Sequence, residues 1–153
     1  MPTNLTAVLQ EVLQNTTNLT ALKQLMTPDA AYLSLNFDNA EPKRVMPWTG
    51  THKGPEALAE VFEAIGRYWK TLDFQVTDAV EQGNRVATFG SFTHKATVTG
   101  REITSPFGLL TRFERNKVAF VQFLEDSYGT AGSFKTGGVT RFHSDPSGQE
   151  VEV

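Results

Sequence analysis

Apolar and polar positions follow two different rhythms along this chain. Over residues 3–14, Leu5, Val8, Leu9, Val12 and Leu13 recur at helical spacing and predict a helix with one apolar face. Residues 15–18 interrupt it, and Leu19, Leu22, Leu25 and Met26 predict a second, short helix. Thr27-Pro28 stops that helix, because proline drives the residue before it out of the helical region. The rhythm then changes to a period of two. Residues 30–37 set Tyr32, Ser34 and Asn36 against Leu33, Leu35 and Phe37, which predicts a strand with a polar-aromatic side and an apolar side. The polar, proline-containing stretch 38–53 reads as a loop carrying Val45, Met46, Trp48 and His52. Gly54-Pro55-Glu56 opens the longest predicted helix, with Leu58, Val61, Phe62, Ile65 and Trp69 on one stripe.

From there the period of two dominates. Residues 72–80 predict a strand, and Gln82-Gly83-Asn84 a turn. Runs rich in Phe, Val, Ile and Thr follow at 85–98, 101–114 and 117–128, joined at Thr99-Gly100 and Arg115-Asn116. They predict a curved antiparallel meander. A Gly-rich connection begins at Gly129, and residues 139–143 and 151–153 flank Asp145-Pro146-Ser147-Gly148 as a final hairpin or an extended tail. Helices first and strands afterwards define the α+β class. The expected architecture is a conical barrel, a strongly curved antiparallel sheet wrapped around three N-terminal helices. Residues 1–153 are expected to form one domain, with 129–153 as a C-terminal extension or hairpin.

Alternation assigns the faces of the meander. A turn at Thr99-Gly100 sets Phe92 opposite Phe107, Gly90 opposite Leu109 and His94 opposite Ser105; a three-residue bulged loop at Arg115-Asn116 sets Leu109 opposite Phe123. One face then carries Val86, Thr88, Phe92, His94, Ser105, Phe107, Leu109, Ala119, Val121, Phe123 and Glu125. The other carries Phe89, Leu110, Val118, Phe120, Leu124 and Asp126. Both are apolar, yet helices can cover only one. The uncovered face is therefore expected to pair with a second copy as a two-fold homodimer. A tail folded back over the patch is the alternative.

Composition narrows the chemistry. The 153 residues carry a formal net charge of -3 and no basic stripe, so no nucleic-acid partner is expected. The chain has no cysteine, which excludes disulfides and thiolate metal sites. No apolar run reaches the roughly 20 residues of a membrane span. Residues 1–10 lack the basic and apolar regions of a signal peptide, so a cytoplasmic protein without membrane contact is expected. Asn4, Asn15 and Asn18 open Asn-X-Thr triplets and read as polar residues flanking helices. Histidines at 52, 94 and 143 have no metal-ligand spacing, and no Gly-rich phosphate loop occurs, so no metal and no cofactor is expected.

Three strings carry a resemblance: Pro28-Asp29-Ala30-Ala31-Tyr32, Gly50-Thr51-His52-Lys53-Gly54-Pro55-Glu56, and Leu110-Thr111-Arg112-Phe113-Glu114-Arg115-Asn116-Lys117-Val118. In order and spacing, over roughly residues 5–130, they resemble the nuclear-transport-factor-2-like superfamily in its SnoaL-like and ketosteroid-isomerase branch. The resemblance implies a pocket inside the cone, but not an intact set of catalytic acids. The general-base Asp of ketosteroid isomerases falls on Ser34. Their oxyanion-hole Asp, like the catalytic Asp of SnoaL-type cyclases, falls on Leu109. The Arg and Asp residues of limonene epoxide hydrolases fall on Gly90, Phe92 and Phe123; of the groups holding their attacking water, Tyr32 matches and Ser34 is a substitute.

The remaining polar groups are the candidates. Tyr32, His94 and Glu125 are the candidate acid–base residues, since a histidine or a desolvated carboxyl can titrate near neutrality. Ser34, Trp48, His52, Thr88, Phe92, Phe107, Leu109 and Phe123 are the candidate ligand contacts, with Trp48 and His52 on a loop able to close the pocket. Asp126 faces outward and is expected to cap the turn after it. The expected partner is a small hydrophobic molecule. Isomerase, cyclase or hydratase chemistry on a polyketide-, terpenoid- or steroid-like substrate is one reading, and a non-catalytic binding or dimerisation module is the other.

Overall fold

Two asparagines start the chain's first two helices in this computed structural model, in which residues 3–153 are described. Asn4 Oδ1 accepts the Ala7 amide at the start of α1 (Leu5–Gln14), and Asn18 Oδ1 that of Ala21 at the start of α2 (Leu19–Leu25). Each satisfies a backbone donor that the first turn leaves free. β1 (Met26–Ser34) follows α2 without a loop. It begins four residues before the predicted strand and ends three before it. Its register slips between Met26 and Ala31, around a Pro28 that has no amide to give. It stops because Leu35 takes a positive φ of 64°.

The stretch 38–53, expected as a loop, contains α3 (Ala40–Val45) and β2 (Gly50–Lys53). No hydrophobic rhythm announces them; a carboxylate organises them. Asp38 accepts the Thr51 amide at 3.1 Å, the Thr51 hydroxyl, and the Lys43 ammonium at 2.8 Å. Only a glycine fits at position 50, where φ is 102° and a Cβ would lie 2.2 Å from Asp38 Oδ1. α4 (Pro55–Tyr68) then runs to β3 (Trp69–Gln82), which is longer than the predicted 72–80.

β4 (Arg85–Ala96), β5 (Glu102–Glu114) and β6 (Lys117–Glu125) complete a six-stranded sheet in the order β2-β1-β6-β5-β4-β3. The α+β class and the strongly curved sheet around helices are as expected. One pair, β1 with β6, is parallel, and the sheet stays open with β2 and β3 as its edges.

Two details of register differ from expectation. The β4–β5 connection spans residues 97–101 rather than a tight Thr99-Gly100 turn. Phe92 therefore faces Ser105, Gly90 faces Phe107, Thr88 faces Leu109 and His94 faces Ile103. The slip is two residues, an even number, so every side chain keeps its face. Leu109 does pair with Phe123. Between Arg112 and Phe113 the β5–β6 register shifts, a bulge that pairs Phe113 with Val118. Val118 is consequently sealed inside and Ala119 is not, the reverse of simple alternation.

The core lies on the concave side, where Leu5, Leu9, Val12, Leu22, Leu58 and Val61 of the helices meet Val86, Phe92, Phe107, Leu109 and Val121 of the sheet. On the convex side Phe89 is 53% and Leu124 48% exposed. The tail does not cover them. Instead α5 (Ser127–Gly132) packs on β5, Asp126 capping it by accepting the Gly129 amide at 3.0 Å. A two-stranded hairpin, β7 (Arg141–Phe142) with β8 (Val151–Glu152), ends the chain. Among the described residues no helix is long and apolar enough to cross a membrane.

Candidate functional site

The concave sheet and the helices do not meet everywhere. They leave a cavity of about 290 Å³. Its walls are mainly aromatic: Phe92 and Phe123 from β4 and β6, Phe74 and Trp69 from β3, Phe62 from α4, and Trp48 from the α3–β2 connection. The rings touch one another, Phe107 stacking on Phe123 at 5.3 Å and on Phe74 at 4.8 Å, and Phe92 lying 6.3 Å from Phe123. Such contacts favour one fixed arrangement of the wall.

Three titratable groups break this apolar lining: Tyr32, His94 and Glu125. Glu125 is the last residue of β6, on the inward side of the pleat. Its Oε2 is buried and has no hydrogen-bond partner. Burial pushes the carboxyl up to about 7; the Thr130 hydroxyl offsets part of this and the charge of Asp126 adds to it. A carboxyl in this state exchanges a proton near neutrality. Tyr32 sits on β1 beside Val121, and burial raises its phenol well above the usual range, with Ser34 acting the other way and Glu125 adding to the rise. It remains a neutral hydrogen-bonding group.

His94, near the end of β4, is held down to about 4 by burial. Its ring lies 4.3 Å from that of Phe92 and stacks on Trp69 at 5.1 Å. Its Nδ1 is 3.2 Å from the Thr71 hydroxyl on β3. It is a neutral imidazole at physiological pH, able to give or accept one hydrogen bond at each ring nitrogen according to tautomer.

The cavity thus brings together Tyr32, His94, Glu125, Ser34, Trp48, Phe92 and Phe123. The other four candidates stand behind its wall. His52 bonds the Trp48 carbonyl through Nε2 at 2.6 Å and packs 6.1 Å from the Tyr32 ring. Phe107 supports Phe123 and Phe74. Leu109 borders a separate void of about 10 Å³, and Thr88 is buried with its hydroxyl unbonded. The sequence reading missed Leu13, Thr16, Phe62, Ile65, Trp69, Thr71 and Phe74. Those on helices share an apolar stripe with ordinary core residues, so nothing in the pattern sets them apart. Thr71 follows from carrying the alternation of β3 back to Trp69, whereas Phe74 is out of phase with both and reaches the cavity through the register shift between Thr71 and Asp73, which no local pattern announces. Among the described residues no three His, Asp or Glu side chains converge as a metal site would need.

A curved open sheet folded around helices, with an apolar cavity between them, is the nuclear-transport-factor-2-like fold. An NTF2-like protein from Burkholderia xenovorans matches with a TM-score of 0.73 at 17% identity, covering 86% of this chain and 95% of that one. IdmH of Streptomyces antibioticus, a candidate polyketide cyclase, matches with a TM-score of 0.67 at 16% identity, covering 86% and 98%. At these identities the likeness is one of fold.

The sequence goes further. The SnoaL-like domain family model matches residues 7–121. Patulin synthesis protein F of Aspergillus clavatus is 36% identical over 133 residues, which are 84% of this chain and 67% of that protein. The chain belongs to the SnoaL-like domain family and spans about two thirds of the length of that relative.

Proposed function

We propose that the cavity is a site of acid–base chemistry on a small, uncharged, polyketide-derived molecule, of the isomerase, cyclase or hydratase kind. The observation that carries this reading is Glu125: a carboxyl with one oxygen buried and unpartnered at an aromatic cavity, poised near pH 7. Its protonated form donates a hydrogen bond or a proton to a substrate carbonyl; its ionised form removes a proton. Tyr32 and Ser34 hold the same substrate oxygen, and neutral His94 binds a second polar atom. Among the described residues no lysine or arginine lines the cavity, so no cation there offsets the desolvation of an anionic ligand. A volume near 290 Å³ is at the small end of ligand sites and fits a compact ring system. The relative named for patulin synthesis supports a biosynthetic substrate of this type.

Native mass spectrometry of the purified protein identifies the copurifying small molecule, which then serves as the substrate. Glu125→Gln, which keeps the shape and removes the titration, is expected to lower turnover at least a hundredfold while binding persists. Unchanged turnover contradicts the assignment. A second reading, a binding module without catalysis, is favoured by Leu109, Phe92 and Phe123, which stand where the resembled enzymes keep acids. It predicts a ligand released chemically unaltered.

We also propose that the convex sheet face forms a two-fold homodimer. The exposed Phe89 and Leu124, which flank Gly108 across the sheet, with Leu110 and Phe120 further along the same face of β5 and β6, support this reading. Light scattering showing a monomer at micromolar concentration contradicts it.

A further inference from the structure

The cavity wall does not end where the family match ends. Trp69, at the start of β3 and 2% exposed, is fixed from three sides by residues far apart in sequence. Its indole N–H donates to Ser133 Oγ at 2.9 Å, and that hydroxyl donates onward to the Thr130 carbonyl at 2.7 Å. The Phe134 ring stacks on the indole at 4.8 Å with 23° between planes, and its edge meets Tyr68 at 5.9 Å. The Thr99 hydroxyl, from the β4–β5 connection, donates to the Ser133 carbonyl at 2.6 Å and pins this turn to the sheet. Trp69 in turn lies nearly parallel to His94, 5.1 Å away with 22° between planes.

We propose that Ser133 and Phe134, which lie beyond the matched residues 7–121, are positioning residues of the site, holding Trp69 flat against His94 and so shaping the cavity. A buried indole with its N–H bonded and a ring stacked upon it has one orientation open to it. Without Phe134 the indole gains a void to turn into, and the aromatic cover over the imidazole opens to water. Without the Ser133 hydroxyl the buried indole N–H loses its acceptor, which costs more than an absent bond. The C-terminal segment is therefore part of the site and not an appendage to it. This inference concerns the free protein and stands whether or not the cavity is catalytic.

The test is an NMR titration of the His94 imidazole in the full chain, with thermal unfolding recorded alongside. The wild type is expected to titrate at about 4. In Phe134→Ala the midpoint is expected to rise by at least one unit toward the ordinary histidine value, a tenfold gain in proton affinity, and Phe134→Tyr should restore it. Ser133→Ala should move it the same way by a smaller amount. A lowered melting temperature with an unmoved His94 midpoint, in a Phe134→Ala protein that still folds, overturns the proposal. If Phe134→Ala does not fold, Ser133→Ala decides: a raised midpoint supports the proposal and an unchanged one overturns it.

Discussion

The two faces of the same strands are built from the same kinds of residue and behave differently. On β4, Phe92 points into the cone and is 2% exposed, whereas Phe89 points outward and is 53% exposed. At the end of β6 the contrast recurs with carboxyls. Glu125 turns inward, loses its water and is pushed up to about 7, while Asp126, the next residue, turns outward and caps α5 through the Gly129 amide. Residue type does not distinguish these pairs. The pleat does, by deciding which member meets the helices and which meets solvent. Inside, the apolar groups enclose a cavity and raise the proton affinity of one carboxyl; outside, they leave a patch exposed to solvent.

The comparison predicts unequal costs of truncation. Phe92→Ala should lower stability by about 3–5 kcal/mol, because it removes a ring from a close-packed wall and leaves a cavity. Phe89→Ala should cost less than about 1 kcal/mol in the isolated chain. Urea unfolding at low protein concentration measures both, and equal losses would break the division into sealed and open faces.

A second test uses the opposed titrations of Glu125 and His94. The folded-state value of Glu125 is raised from 4.5 to about 7, so its contribution to stability is present below pH 4.5 and is lost as pH rises to 7. That of His94 is lowered from 6.5 to about 4, so its contribution is present above pH 6.5 and is lost as pH falls to 4. Between about pH 4.5 and 6.5 the two slopes cancel, each worth about 3 kcal/mol in full. Asp38, Glu56, Glu81 and Asp145 are held below the usual carboxylate range by their partners and act at lower pH. Glu125→Gln should therefore unmask stability that rises with pH across this window, and His94→Phe stability that falls. Parallel pH profiles for wild type and both variants would show that neither group is desolvated.

Much of this was readable from the sequence. Alternation placed Phe92, Phe123, His94 and Glu125 on one face and Phe89 and Leu124 on the other, because a period of two survives an even slip of register. The slip itself was hidden. Thr99-Gly100 has the look of a two-residue turn, and nothing local reveals that the connection extends over 97–101. The bulge that brings Val118 inside was hidden for the same reason, since the pattern Val118-Ala119-Phe120-Val121 reads equally well in either phase. Residues 38–53 lacked a signal because their structure depends on the Asp38 carboxylate reaching Thr51 across thirteen positions. Ser133 and Phe134 follow glycines in a stretch that reads as a linker, and only tertiary contact gives them a role.

The smallest effect belongs to the outward carboxyl. Asp126→Ala removes the cap of α5 and should cost about 1 kcal/mol, read as a modest fall in the urea midpoint. Turnover should fall far less than in Glu125→Gln, because Asp126 does not line the cavity. A loss of activity equal to that of Glu125→Gln would erase the distinction between the two neighbours.

The acid–base character of the cavity rests on the protonation of one side chain, Glu125. Carbon-13 NMR of the glutamate carboxyls, with the Glu125 resonance assigned by its disappearance in Glu125→Gln, measures that protonation directly. The structure predicts a midpoint of about 7 for Glu125, well above that of an exposed glutamate. A midpoint near the ordinary 4.5 would mean that water reaches this carboxyl freely, and would contradict the claim that the cavity sets its chemistry.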